Sequence, residues 1–272
     1  MNCYYQLNQP GYAYMGRNIK SVTYGRHGII KIYTLEISMA LSCEAISIMP
    51  DGATDIMFVK KKNGDCEIFD YGTPIVAQSL CASLFLENGD SLFGVQFVPN
   101  VVELITGISV QEITDRVLKL EHHRELRQLA DELFQKEDFL EQVQLFLQYY
   151  LSLWKEPYEE ITRRSCIASY MLEQTIRSQG TVKLNELSQY AGYSTRYMNQ
   201  MFTREYGISP KSYARLIRFQ YILSELEKSQ KLIDISAQLE MLEGNLIREF
   251  KQMTGITPKI YRKQLLAAQR AS

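Results

Sequence analysis

Hydrophobic positions along the chain change their period near residue 100. Before it, β-branched and aromatic residues come in short runs broken at glycine: VTYGRHGIIKIYTLEISM from Val22, EAISIMPDGATDIMFVKKKNGDCEIFDYG from Glu44, and SLFGVQFVPN from Ser91. Asp51-Gly52 and Asn63-Gly64 are strong turn dipeptides between such runs. The pattern predicts several short strands closing into a sandwich or barrel, the last one ended by Pro99. From Val101 the period becomes helical. VVELITG is a short helix stopped by Gly107. SVQEITDRVLKL is helical with a capping box, Ser109-x-x-Glu112, and RELRQLADELF follows. In DFLEQVQLFLQYYLSLW a stripe of Phe139, Val143, Phe146 and Tyr150, with Leu140, Leu147 and Trp154 beside it, is either core or the seam of a homodimer. Pro157, flanked by acids, marks a boundary, and ITRRSCIASYMLEQTIRSQG is one further helix ending at Gly180.

The stretch from Thr181 to Tyr213 then reads as helix, tight turn, helix. Leu184, Leu187 and Ala191 share one face of the first helix. Gly192-Tyr193-Ser194 is the turn, with Gly192 free to take a positive φ and Ser194 an N-cap for a helix from Thr195 to about Tyr206. Met198, Met201 and Phe202 lie on its packing face; Arg196, Asn199, Thr203 and Gln200 lie elsewhere. Ser209-Pro210 is a second N-cap with proline at the first helical position. The closing phrase returns 48 residues later: Phe202-TREY-GISPKSY and Phe250-KQMT-GITPKIY pair at Gly207/Gly255, Ile208/Ile256, Pro210/Pro258, Lys211/Lys259 and Tyr213/Tyr261. Leu187-Ser188 pairs with Ile235-Ser236, and Met198 with Leu246. Between the copies, Ala214 to about Ser229 is helical, through Leu216, Phe219, Ile222, Leu223 and Leu226.

GYSTRYMNQMF followed by GISPKSYARLIR, with this repeat, resembles the DNA-binding region of AraC-type bacterial transcription activators. There, two helix-turn-helix units on one chain are joined by a long helix. The resemblance implies double-stranded DNA as partner, with the first recognition helix in a major groove and the second unit about one helical turn on. Arg196, Asn199, Gln200 and Thr203 are then the base readers of the first unit, and Asn245 and Arg248 those of the second. Arg163, Arg164, Thr195, Lys211, Arg215, Arg218, Lys251 and Lys259 are candidates for phosphate, aided by the helix N-termini at Pro210 and Pro258. For Arg215 and Arg218 a solvated or salt-bridged helix face is the competing reading.

The second copy departs from the first. Glu240 stands where the first turn has Gly192, and a non-glycine residue in left-handed geometry costs ~1–2 kcal/mol. Its recognition helix, LEGNLIREF, carries Glu243, unfavourable beside phosphates, and Gly244, which weakens a helix by ~1 kcal/mol. This copy is expected to pack and touch backbone rather than read bases fully.

MPDGATDIMF and FGVQFVP resemble a cupin-like N-terminal domain, of unassigned role, carried by a subset of these regulators. Pro50, Asp51, Gly52 and Asp55 either line a ligand pocket or build a turn capped by Asp55. The expected fold is α+β: a β-rich sandwich or barrel over 1–98 with a helical extension over 99–160, together a regulatory domain, then an all-α DNA-binding domain over 161–272.

Charge sharpens that division. Residues 1–162 hold 13 Lys+Arg and 22 Asp+Glu, net −9; residues 163–272 hold 17 and 9, net +8. A basic module beside an acidic one fits nucleic-acid binding under a regulatory partner. Five cysteines (Cys3, Cys43, Cys66, Cys81, Cys166) show no paired spacing, and His27, His122 and His123 are too few for a metal-binding cupin. No metal or cofactor is expected. With no leader or membrane span in view, the expected location is cytoplasmic. No nucleophile–base pair or phosphate loop suggests an enzyme. RNA polymerase and an unidentified small-molecule or protein effector complete the partners to consider. The competing reading is a regulator that has lost specific DNA binding and works through a protein partner.

Overall fold

The computed structural model describes residues 16–26, 28–37, 47–79, 84–153 and 159–271. Its first half is built on a six-stranded antiparallel sheet in the order β1-β2-β7-β4-β5-β8, with a two-stranded ladder of β3 and β6 beside it. The strands are β1 (Gly16–Arg26), β2 (Ile29–Ile37), β3 (Ser47–Ile48), β4 (Thr54–Lys60), β5 (Cys66–Tyr71), β6 (Gln78–Ser79), β7 (Ser91–Phe97) and β8 (Val117–Lys119). Strands β7 and β4 sit centrally and pair Ile56 with Val95 and Phe58 with Phe93.

Side chains alternate across this sheet, so each strand serves two cores. Ile56, Phe58, Phe93, Val95 and Phe97 face helices α1 (Pro99–Thr106), α3 (Arg124–Leu133) and α4 (Phe139–Ser152). The ring of Phe146 lies 6.1–6.2 Å from those of Phe58, Phe93 and Phe97. The Phe139–Val143–Phe146–Tyr150 stripe is therefore core: all four are buried, while Leu140 on the outer side is exposed. On the opposite face Tyr33, Leu35, Met57, Val59 and Leu92 pack with Leu84 and Leu86.

The segment 109–120 is not one helix. The Ser109–Glu112 capping box forms, but helix α2 covers only Val110–Ile113. Asp115 then takes φ +58° and its N–H bonds to the Thr73 carbonyl at 3.0 Å. This reversal delivers Val117–Lys119 as an edge strand against Phe69–Tyr71. Pairing with β5 outweighs the helical pattern because a buried sheet edge needs its ladder completed.

The second half is helical throughout: α5 (Glu159–Arg177), α6 (Leu184–Ala191), α7 (Thr195–Tyr206), α8 (Pro210–Glu227), α9 (Leu232–Gln238), α10 (Glu243–Thr254) and α11 (Pro258–Ala271). Their shared core runs from Met171 and Leu187 through Met198, Phe202 and Tyr206 to Leu246, Phe250 and Tyr261. Helix α8 is its axis, with Tyr213, Leu216, Phe219, Ile222, Leu223 and Leu226 all buried. It starts four residues before Ala214, because Ser209 caps it (its hydroxyl accepts the Ser212 N–H at 3.2 Å) and Pro210 occupies the first turn. Trp154 and Pro157 lie outside the described residues.

The two halves touch through backbone-directed bonds. Tyr213 Oη donates to the Gly52 carbonyl at 2.8 Å, and Gln220 Nε2 to the Pro50 carbonyl at 2.7 Å. The Ala77 N–H donates to the Met253 carbonyl at 2.7 Å, and Gln111 Nε2 to the Thr203 carbonyl at 3.4 Å. The first half thus meets α7, α8 and α10 at once.

Candidate nucleic-acid interface

Two helix–turn–helix pairs, α6–α7 and α9–α10, repeat their backbone as well as their sequence. Gly192 takes φ +72° and Glu240, 48 positions on, takes φ +51°; Gly207 and Gly255 both take φ +76°. The turn at Glu240 therefore keeps left-handed geometry without a glycine, the strain expected of that substitution. The second helices begin alike, with Ser194 at φ −66°, ψ 145° and Leu242 at φ −69°, ψ 137°. Only Ser194 caps, its hydroxyl accepting the Tyr197 N–H at 3.2 Å. Met198 and Leu246, and Phe202 and Phe250, occupy equivalent, fully buried places.

Packing those residues inward turns Arg196, Asn199 and Gln200 outward, and all three are exposed. Thr203 is placed otherwise. It is half-buried, its hydroxyl is enclosed, and its carbonyl accepts from Gln111 on α2. As placed, it faces the first half of the chain and cannot reach a base edge. Thr195 is half-buried at the start of α7. The turn also presents Tyr193 and Tyr197, stacked with centroids 5.3 Å apart and both exposed.

Where the second pair faces α8 and the residues leading into α6 lies a cleft of about 570 Å³. Lys183, Lys211, Arg215, Arg218 and Arg248 line it, against Glu240 and Glu249, so cations prevail five to two. Asn245 and Arg248 are exposed there and bonded to one another, Nη2 to Oδ1 at 2.6 Å. Lys211 is exposed at the first turn of α8, and Lys251 and Lys259 are exposed on α10 and α11. Arg163 and Arg164 fall within α5, but their side chains lie outside the described residues.

Arg218 does something other than await a phosphate. It donates to both carboxylate oxygens of Glu249, at 3.2 Å each, and to the Gly180 carbonyl. Arg215 lies 3.8 Å from Glu249 and donates to Gln252 at 2.7 Å. One carboxylate on the second recognition helix thus holds two arginines of α8, and Arg218 also ties down the end of α5. A planar guanidinium with several directed donors suits this bracing better than an ammonium. No hydrophobic period marks Glu249. The only available signal was the repeat, in which it replaces Met201 of the first copy. Lys183, at the start of α6, is likewise a cleft cation that no pattern singles out.

Asp51 and Asp55 are both buried. Asp51 accepts the Ala53 N–H at 2.9 Å and Gln96 Nε2 at 2.8 Å; Asp55 accepts Tyr33 Oη at 2.9 Å. Tyr33 reaches it by lying across Gly94, where a Cβ would meet the ring at 2.2 Å. Burial first, then the charge of Asp51, pushes the Asp55 carboxyl well above the usual carboxylate range, with Tyr33, Gln96 and Lys31 opposing. The turn is held by Asp51, not capped by Asp55. Its outward carbonyls, from Pro50 and Gly52, are those that meet α8.

Among the described residues there is no cluster of three His, Cys, Asp or Glu side chains able to hold a metal ion, and no helix long and apolar enough to cross a membrane.

Residues 187–264 match the model of a helix-turn-helix domain family. A Bacillus subtilis (strain 168) protein described as the uncharacterized HTH-type transcriptional regulator YtdP is 32% identical over 88 residues. That stretch is 32% of this chain and 11% of the relative, so the chain spans only a small part of its length. ToxT from Vibrio cholerae O395 aligns over 90% of this chain and 96% of its own at 12% identity and a TM-score of 0.39. Its structure bound to (E)-4-(8-methylnaphthalen-1-yl)but-3-enoic acid aligns at 0.38, also at 12% identity, over 92% of this chain and all of the other.

Proposed function

We propose that the chain is a sequence-specific DNA-binding transcription regulator, with residues 161–272 as the DNA-binding domain and residues 1–160 as its regulatory domain. The observation that carries this reading is the repeat of one helix–turn–helix backbone geometry in two units, with a cation-lined cleft where the second unit meets α8. A double-stranded helix offers equivalent groove segments one turn apart on one face, and a doubled unit suits that spacing.

The two units divide the work. Arg196, Asn199 and Gln200, all outward on α7, read base edges in the first major groove. Lys211, Lys251 and Lys259, with Arg215 once a phosphate competes for it, position the backbone without specifying sequence. Arg218 keeps its pairing with Glu249 and holds α10 against α8. The second unit contributes mainly through backbone and DNA shape.

Selection from a pool of random duplexes with the full chain, followed by footprinting of the recovered sequence, tests this. Two protected segments on one face, about one helical turn apart, are expected. Protection of one groove alone, or recovery of no preferred sequence, favours a regulator acting through a protein partner instead.

A further inference from the structure

The second recognition helix begins on a residue that neither its fold nor its cap requires. Leu242 occupies the N-cap of α10, where α7 has Ser194 in the same backbone conformation. Its side chain therefore leaves the helix in the same direction as the serine's. Leucine is a poor N-cap, and no side chain satisfies the first N–H groups here. Nor does the core gain from it. Leu246 one turn on is fully buried, while Leu242 is 74% exposed. A serine at this place would remove both penalties.

Its position along the helix places it beside the cleft. Asn245, Arg248, Glu249 and Gln252 all line the cleft. Leu242 is not among the residues that line it, but it is three residues before Asn245 and seven before Glu249, so it stands exposed at the N-terminal margin of that face. It stands at the leading end of that face, and the leading residues of a recognition helix are the ones that meet base edges. The only apolar group that a major groove offers is the C5-methyl of thymine.

We propose that Leu242 is a specificity-determining residue that reads a thymine methyl in the second half-site. This rests on the DNA-binding reading above and adds one sequence-specific contact to a unit otherwise held by backbone. Glu243 and Gly244 offer no hydrogen-bond donor from their side chains, so an apolar contact is the form that readout takes at this end of the helix.

Deoxyuridine in place of thymidine removes that methyl and nothing else. On the selected duplex, each thymine of the second half-site is replaced in turn, and competition binding is measured at one fixed salt concentration. The wild-type chain should lose affinity about fourfold at one thymine, the worth of one buried methyl group. Leu242→Ser, which restores the cap and folds at least as well by thermal unfolding, should show no loss at that thymine while keeping its first-half-site footprint. A wild-type chain indifferent to every substitution, or a variant that loses as much as the wild type, overturns the assignment. Recovery of no preferred duplex overturns the DNA-binding reading, and the Leu242 assignment with it.

Discussion

The phenol of Tyr213, the last residue of the first closing phrase, ends on the backbone carbonyl of Gly52, 161 residues earlier, at 2.8 Å. Both groups are buried. Gly52 holds φ +79°, and a Cβ there would stand 3.0 Å from the tyrosine ring. The acidic half of the chain thus grips the helix that joins the two helix–turn–helix units, at a point fixed by Asp51 behind it.

Tyr213→Phe removes the donor and leaves the Gly52 carbonyl buried without it. A loss of about 1–3 kcal/mol is expected, the desolvation penalty of an unsatisfied buried group. Urea unfolding of the full chain measures it. If the bond couples the two halves, the unfolding transition should also be broader in the variant than in the parent, or split in two. An unchanged midpoint would mean that the contact is not maintained in solution.

Glu240→Gly should stabilise the chain. Left-handed geometry at a residue with a Cβ costs about 1–2 kcal/mol, and the first copy shows that glycine fits the same turn. The gain is partly offset by the greater freedom of glycine in the unfolded chain. A rise in thermal midpoint is expected, and a fall would show that the Glu240 side chain makes a contact worth more than the strain.

These residues show how far the pattern of the chain could be read. Gly192 and the Ser194 cap were legible because each is a local rule, and the repeat then gave Glu240 its strained turn. Strand β8 was not legible: Val117–Lys119 sits inside a helical period, and its partner β5 lies 46 or more positions earlier. Thr203 faces outward on a helical wheel but is covered by α2, a contact no local pattern encodes. The bracing of Arg215 and Arg218 by Glu249 is tertiary in the same sense. For Asp51 and Asp55, the turn was visible, but not that its carbonyls serve the other half of the chain.

Asp70 should make stability depend on pH. It is fully buried, and burial pushes its carboxyl up to about 7, with the Thr106 hydroxyl opposing. A carboxyl whose pKa is raised on folding binds its proton more tightly in the folded state. Its cost is absent below the unfolded value of 3.8, grows as pH rises, and is complete above about 7. The gap corresponds to roughly 4 kcal/mol at most. Asp70→Asn should therefore remove part of the loss between pH 4 and 7. Parallel unfolding curves for parent and variant across that range would dispose of the assignment.

Glu249→Gln tests whether the bridge to Arg215 and Arg218 braces the second unit. The neutral side chain keeps a hydrogen bond but loses the charge that holds two guanidinium groups. Stability should fall by about 1 kcal/mol, as expected for a half-exposed pair. Freed arginines would meet phosphates, so binding to random duplex should tighten and its dependence on salt should steepen. Lower stability with an unchanged salt slope would place both arginines away from the DNA.

The two half-sites should differ in what they contribute. The first unit turns Arg196, Asn199 and Gln200 outward from a capped helix. The second begins on an uncapped Leu242 beside Glu243, with Asn245 and Arg248 engaged on each other. An arginine placed to pair with guanine is worth about 1–3 kcal/mol of discrimination. Arg196→Ala should therefore relax preference at one base pair, whereas a mere phosphate contact would weaken specific and random DNA equally. Scrambling the first half-site should abolish specific binding. Scrambling the second should cost only ~1–3 kcal/mol, about that of one mismatched pair, because phosphate contacts survive any sequence. Glu243→Gln should strengthen binding by removing a negative charge beside the backbone. Competition at one fixed salt concentration on the two scrambled duplexes decides the matter. Equal losses would mean that Asn245 and Arg248 separate from each other on binding and read bases as fully as Arg196 does.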